Sequence, residues 1–271
     1  MSEFIMGPAI LFCPADRPER YAKAAGRADA VIIDLEDAVA PENKETARLA
    51  LRESDLDPAR TIIRVNPVDT EHFVKDLEAL NHTDYSTLML PKAQSGAEPE
   101  QLADYEVIAL CETAAGIANV AQIAAAPNVV ALMWGAEDLI ASLGGTSSRH
   151  DDGSYRQVAS FARSQVLIHA VAQGKAAIDS VYLNIPDTQG LFLEAQDAKA
   201  SGFAAKASIH PNQMQIIRQA YAPTAAEVAL AERVLAEAER HPGVFSLDGK
   251  MVDEPLLRQA RATLASAAKL G

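Results

Sequence analysis

Eight short, largely apolar runs constrain the fold of this chain more than any other feature. They are AILFC (9–13), AVIIDL (30–35), TIIRV (61–65), TLML (87–90), VIALC (107–111), VVALMW (129–134), IDSVYL (178–183) and AAKASI (204–209). A strand with one solvated face alternates apolar and polar residues, whereas a strand covered on both faces does not. Between the runs lie segments of helical spacing, among them 17–27, 41–53, 113–126 and 188–202. Strand and helix alternating eight times predict a (β/α)₈ TIM barrel, with an open doubly wound sheet as the alternative because counting strands cannot show closure. About sixty residues follow the eighth run. They read as a helix near 224–240, a turn at 242–243, the segment SLDGKMVDEP and a last helix to about 270. The expected division is a barrel over 1–222 and a C-terminal helical extension over 223–271.

In a parallel barrel the chemistry gathers at the carboxyl ends of the strands, where the βα loops lie. Those positions are rich in ionisable groups here. The first run ends in Asp16-Arg17, the second in Asp34, Glu36 and Asp37, and the third carries Arg64 and Asn66. The fourth ends in Pro91-Lys92, the fifth in Glu112-Thr113, and the sixth in Gly135-Ala136-Glu137-Asp138. Asn184 ends the seventh and His210 the eighth. Carboxylates this dense stay ionised only if a cation neutralises them. Oxygen donors without Cys favour a hard divalent ion, Mg²⁺ before Zn²⁺. Glu112 and Asp138, on consecutive strands about 5 Å apart, are the expected pair of ligands. Arg64 suits the bidentate clamping of an anionic substrate, and Gly135 and Ala136 offer backbone amides beside Asp138 for a second carboxylate. The polar stretch 135–155 is a candidate active-site loop.

Each of these residues has a plainer reading. An isolated acid at a strand end is commonly a helix cap or a surface charge, which covers Asp34 and Glu137. Arg64 can serve as a structural ion-pair partner, and His210 as a hydrogen-bonded structural histidine. Cys111 beside Glu112 invites a nucleophilic role, but a cysteine closing an apolar run is ordinarily inert packing.

Charge narrows the function classes. Lys and Arg number 24 and Asp and Glu 37, a net charge of −13, which repels nucleic-acid backbones and anionic lipid. Two cysteines, Cys13 and Cys111, exclude a disulfide scaffold. No run of 18 apolar residues occurs, and the first apolar run is broken by Pro8 and Pro14 after no basic segment. The expectation is a soluble, reduced, cytoplasmic protein.

The segments FCPADRPERYAKA, VIIDLEDAVAPENKETAR, IIRVNP, MLPKA, CETAAGI and WGAEDL, with DGKMVDEP in the tail, resemble the citrate lyase β-subunit-like family, in order and over roughly residues 9–255. That family includes malyl-CoA and citramalyl-CoA lyases, Mg²⁺-dependent (β/α)₈ aldolases acting on acyl-CoA thioesters. The resemblance implies Glu112 and Asp138 as magnesium ligands and Arg64 as the group that binds substrate carboxylate and stabilises an enolate. It implies that Glu36 and Asp37 hold metal-bound waters and orient Arg64. In the tail it implies Asp253 as an acid/base reaching a neighbouring subunit, in a trimer or a hexamer of trimers. Arg17, Arg20 and Lys23 on the first helix are the nearest cations for CoA phosphates.

The implied reaction is cleavage of a malyl-, methylmalyl-, citramalyl- or hydroxymethylglutaryl-CoA into an acyl-CoA and a keto acid. Two enzymatic alternatives stay open: the β subunit of a citrate lyase complex acting on a carrier-bound citryl thioester, and a malate-synthase-like condensation followed by hydrolysis. A third reading is a barrel without catalysis, serving as a scaffold.

Overall fold

A computed structural model describes residues 6–241 and 243–270 of the 271-residue chain. Eight parallel strands close into a barrel, so the (β/α)₈ expectation holds and the open sheet is excluded. The strands are β1 Ala9–Pro14, β2 Ala30–Asp34, β3 Thr61–Arg64, β4 Thr87–Leu90, β5 Glu106–Cys111, β6 Val129–Trp134, β7 Ala176–Asp179 and β8 Ala205–Ser208. Closure is made by β1 on β8, with Ile10 opposite Ala207.

Strand side chains alternate between two faces, and the inner set is Ile10, Ala30, Ile32, Ile62, Met89, Ile108, Leu110, Ala131, Met133, Ile178, Ala205 and Ala207. Continuing this period of two past the strand ends puts Asp34, Arg64, Glu112, Gly135, Ser180 and Ile209 on inward positions. The apolar floor is thus overlaid by a polar layer at the carboxyl face. The helices that connect the strands begin with α1 Tyr21–Ala25, α2 Lys44–Arg52, α3 Glu71–Leu80, α4 Ala97–Glu100, α5 Ala114–Ala118, α6 Val120–Ala125 and α7 Ala136–Ser142. After them come α8 Gln157–Ala172, α9 Thr188–Ser201 and α10 Gln213–Tyr221.

Two expectations need correction. The seventh strand lies earlier than 178–183, because Asp179 is its last residue and Asn184 falls in the following loop. The 135–155 stretch is not loop throughout. Its first part is α7, as the helix formers Ala136, Glu137, Leu139 and Ala141 favour.

Asp179 also gives the seventh strand an ionisable group that the sequence reading did not credit to it. It faces outward with Lys206, its ladder partner on β8, and both are 0% exposed. Lys206 Nζ donates to Asp179 Oδ2 at 2.8 Å, Glu194 Oε1 at 2.9 Å and the Ser180 carbonyl at 2.7 Å. Arg163 of α8 and the Trp134 indole N–H reach Asp179 Oδ1 at 2.9 and 2.8 Å. Glu194 of α9 also accepts from Arg149, whose guanidinium lies 3.7 Å from the centre of the Tyr155 ring. Burial pushes the Asp179 carboxyl up, but Lys206 and Arg163 outweigh it and hold the group down, at about 2. This network ties β7, β8, α8, α9 and the 144–156 loop together.

The chain divides into two compact units, Met1–Ala220 and Tyr221–Gly271. The second contains α11 Ala225–Arg240, a hairpin of β9 Phe245–Leu247 and β10 Lys250–Val252, and α12 Glu254–Leu270. The hairpin was not anticipated, although its signal is Asp248-Gly249. Those residues have φ of +53° and +76°, the left-handed pair that a two-residue type I′ turn demands. Ala231, Val234, Val252, Leu257 and Ala260 form a small core. A capping box between Thr224 and Glu227 starts α11. Of the turn expected at 242–243, residue 242 lies outside the described residues.

Candidate active site

A cavity of about 320 Å³ opens at the carboxyl face of the barrel. Its apolar wall includes Phe12, Leu110, Met133 and Val181, and its polar wall Asp34, Arg64, Glu112, Glu137, Asp138 and Ser180. The structure therefore gathers Arg64, Glu112, Gly135, Ala136 and Asp138 in one place, as expected for a single site.

Arg64 is organised by its neighbours on β2. Asp34 is its ladder partner and accepts from Arg64 Nε at 2.7 Å and Nη2 at 2.5 Å. The same carboxylate accepts the Glu36 amide at 2.9 Å, so one buried acid shapes the turn and fixes the arginine. Glu36 Oε2 lies 2.9 Å from Arg64 Nη1, and the Phe12 ring lies 5.0 Å from the guanidinium carbon. Burial opposes the Arg64 charge, yet Asp34 and Glu36 more than offset it and raise its pKa. A planar, permanently charged fork held this rigidly is preorganised for a carboxylate or a developing oxyanion.

Lys92 bridges the two acidic groups of the site. It adopts φ +50°, a left-handed conformation that costs a residue with a Cβ roughly 1 kcal/mol or more. In that conformation its amide donates to Glu112 Oε1 at 3.1 Å, while its ammonium bonds Glu36 and lies 3.1 Å from Asp37 Oδ2. Asp34 and Lys92 are the site residues that sequence reasoning passed over. Asp34 was weighed as a structural acid, and its bidentate geometry depends on strand register. The signal for Lys92 was its place after Pro91 at a strand end. The resemblance made both Glu36 and Asp37 orient Arg64; the direct contacts come from Asp34 and Glu36, and Asp37 bonds Lys92 instead.

Glu112 is 3% exposed. Burial, then the nearby charge of Asp138, push its carboxyl up to about 8. Glu36 is likewise raised by burial against the pull of Arg64 and Lys92. Burial pushes Asp37 upward too, but its hydrogen bond from Lys92 prevails and holds it below the usual value. Gly135 permits the close packing here: a Cβ on it would stand 2.6 Å from Glu112 Oε2. This pair of oxygen donors fits a hard divalent cation, whose charge removes the repulsion that raises Glu112. Among the described residues no three His, Cys, Asp or Glu side chains form a closed cage. Magnesium suits two carboxylates, since it retains waters and substrate oxygens in its shell.

Of the remaining expected residues in the first unit, Glu137 lines this cavity and Arg17, Arg20, Lys23 and His210 do not. Arg17, Arg20 and Lys23 are exposed, and Arg17 and Arg20 precede α1 rather than lying on it. Asp253 belongs to the second unit, where it stands just before α12 and accepts the Leu256 amide at 3.5 Å. His210 accepts the Asn212 amide at 3.2 Å, a local structural bond. Glu137 accepts from Ser148 at 2.6 Å. Cys111 is fully buried with its thiol pushed up by that burial, an inert setting for a nucleophile.

Residues 9–211 match the HpcH/HpaI aldolase/citrate lyase family. The chain is 53% identical over 261 residues to a citrate lyase subunit beta-like protein of Mycobacterium tuberculosis, covering 96% of each. It is 37% identical to a (3S)-malyl-CoA thioesterase of Cereibacter sphaeroides, covering 96% of this chain and 94% of that protein. Its fold superposes with a TM-score of 0.95 on the crystal structure of CitE from M. tuberculosis in complex with magnesium, acetoacetate and coenzyme A. That structure is 52% identical and the match covers 97% of this chain and 98% of the other. With a closed barrel, an arginine held by paired acids and two carboxylates lining one cavity at its carboxyl face, the chain belongs to the HpcH/HpaI aldolase/citrate lyase family.

Proposed function

We propose that this protein is a Mg²⁺-dependent carbon–carbon lyase that cleaves a 3-hydroxyacyl-CoA into an acyl-CoA and a keto acid. One observation carries the reading: a guanidinium locked by Asp34 and Glu36 lines the same cavity as the buried carboxylate of Glu112 and the half-buried one of Asp138. The magnesium, acetoacetate and coenzyme A in the CitE structure agree with that choice of ligands.

In the cleavage a base takes the hydroxyl proton, the hydroxyl oxygen becomes the keto carbonyl, and the bond between C2 and C3 breaks. Its electron pair passes to the thioester as an enolate, which is then protonated at carbon. Arg64 binds the substrate carboxylate and stabilises negative charge as it develops. Glu112 and Asp138 hold the metal, which when bound supplies Lewis-acid charge beside the reacting oxygens. Glu36 and Asp37 order water at that site, and the amides of Gly135 and Ala136 dock the second carboxylate end. Asp253 is the acid/base, contributed by a neighbouring subunit of a trimer or a hexamer of trimers. Arg17, Arg20 and Lys23 meet the CoA phosphates. A cytoplasmic location belongs to this reading, and no helix of the described residues is long and apolar enough to cross a membrane. The thioesterase among the relatives favours a second outcome at the same site, hydrolysis of the thioester.

The test is a panel of malyl-, methylmalyl-, citramalyl- and hydroxymethylglutaryl-CoA with Mg²⁺, read for keto acid (acetoacetate in the last case) and for free CoA thiol. Cleavage without thiol release is the expected result, and thiol release marks hydrolysis. Glu112→Gln must abolish turnover with melting temperature retained; full activity in that variant removes the metal assignment. Mixed oligomers of Asp253→Ala and Arg64→Ala chains recover activity if the site is shared, and their failure to do so overturns the role of Asp253.

A further inference from the structure

A buried polar chain runs from the helices outside the barrel to the turn that carries Glu36. Arg48 of α2 donates from Nε to Asp76 Oδ1 at 2.8 Å. The other oxygen of Asp76, on α3, accepts the Asn66 amide at 2.8 Å and its Nδ2 at 2.6 Å. Asn66 Nδ2 also donates to the Leu35 carbonyl at 3.1 Å. Lys44, the first residue of α2, then closes the chain. Its ammonium donates to the carbonyls of Leu35 at 2.6 Å and Glu36 at 2.7 Å, and to Asn66 Oδ1 at 2.8 Å. All four side-chain residues are buried, Lys44 at 7% exposed and Asp76 at 0%.

An ammonium has three protons, and this one has an oxygen for each. Burying a lysine is costly unless it is fully hydrogen-bonded, and here two of its three bonds go to consecutive carbonyls of one turn. Those carbonyls flank the Cα of Glu36, so holding both fixes the peptide plane from which its carboxylate projects. The carboxylate in turn meets Arg64 and Lys92. Lys44 itself does not line the cavity.

We infer that Lys44 is a positioning residue of the site, acting through Glu36 to set the angle at which Arg64 faces the cavity. The inference rests on the reading of Arg64 and Glu36 under the proposed function. A structural staple and a positioning residue differ in what their removal does. Loss of a staple lowers the melting temperature and leaves each folded molecule fully active. Loss of a positioning residue lowers turnover well below the melting temperature, and the loss vanishes once the group it acts through is gone.

The experiment is a double-mutant cycle of Lys44→Met with Glu36→Gln, alongside Lys44→Gln, which restores donors without charge and serves if Lys44→Met does not fold. Lys44→Met is expected to lower kcat at least tenfold with KM for the acyl-CoA within twofold. Lys44→Gln should recover most of that loss, and Lys44→Met in the Glu36→Gln background should cost less than threefold. Losses that multiply independently, or full turnover per folded molecule, overturn the inference. A second readout needs no substrate: solvent exchange of the Arg64 guanidinium protons at Nη1, which face Glu36, measured by ¹⁵N NMR, should quicken at least tenfold in Lys44→Met and by a smaller factor in Lys44→Gln. If the parent protein cleaves none of the thioesters, the proposed function fails and the NMR reading decides alone; unchanged exchange overturns the role of Lys44.

Discussion

Two charge clusters, one buried and one opening on a cavity, sit on the same barrel and are built on opposite terms. Behind β7 and β8 three acids, Asp179, Glu194 and Asp197, meet three bases, Lys206, Arg149 and Arg163. At the mouth five acids, Asp34, Glu36, Asp37, Glu112 and Asp138, stand against two bases, Arg64 and Lys92; Glu36 and Glu112 are raised, by burial first, while Asp37, bonded to Lys92, is lowered. A balanced cluster holds structure together, whereas an unbalanced one has a charge deficit that a cation can fill. That contrast separates scaffold from site more cleanly than residue type does, since both clusters are made of the same acids and bases.

The contrast can be broken most forcefully at Lys206. Lys206→Met leaves Asp179 buried without its main counter-charge and should cost about 3–5 kcal/mol in denaturant unfolding. The double variant with Asp179→Asn should recover a large part of that loss. A cost below about 1 kcal/mol would show that the outer cluster is not the scaffold described.

A smaller effect follows from pH. Asp179 is held down from 3.8 to about 2, worth roughly 2 kcal/mol. A depressed carboxyl contributes stability above its unfolded pKa of about 3.9, and that contribution disappears as pH falls toward 2. Thermal unfolding between pH 5 and 2 should show this acid limb in the parent protein and a weaker one in Lys206→Met. Parallel curves would refute it.

At the mouth, Gly135→Ala tests the closeness of packing. The new Cβ would sit 2.6 Å from Glu112 Oε2, so the carboxylate must shift, and Mg²⁺ affinity by calorimetry should weaken about tenfold, or about 1.4 kcal/mol. Unchanged affinity would mean that Glu112 is not a ligand or that it can move freely.

The smallest effect sharpens the comparison through its sign. In protein stripped of metal with chelator, Glu112→Gln should gain roughly 1 kcal/mol near pH 8, where removal of a buried acid at Lys206's partner would lose stability. Glu112 is raised, so its favourable contribution is complete below its unfolded pKa of about 4.3 and is lost as pH rises through about 8. Destabilisation by Glu112→Gln at pH 8 would place both clusters in one class.

The barrel was legible because burial on both faces writes itself locally, as in Val31, Ile32 and Ile33 with no polar interruption. The seventh strand was misplaced because IDSVYL continues the apolar run beyond Asp179, and nothing local marks where pairing with β8 stops. The hairpin of the second unit escaped notice for a related reason: FSL and KMV are too short to carry a period, so only the Asp-Gly turn announced them. Glu112, Asp138 and Arg64 were legible as candidates because charged residues at the ends of apolar strands fall on the carboxyl face. Asp34 and Lys92 were not, because their importance lies in partners 30 and 56 residues away.

The sequence alone determined the eight-fold alternation, the acidic rim and the candidate ligands, all of which follow from composition over a few neighbouring residues. Only tertiary structure decided which acid each base answers. Closing the barrel sets strand register, register sets which side chains share the inner layer, and desolvation there depends on every neighbour at once. The charge deficit at the mouth and the balance behind β7 are therefore properties of the assembled barrel, absent from any one strand.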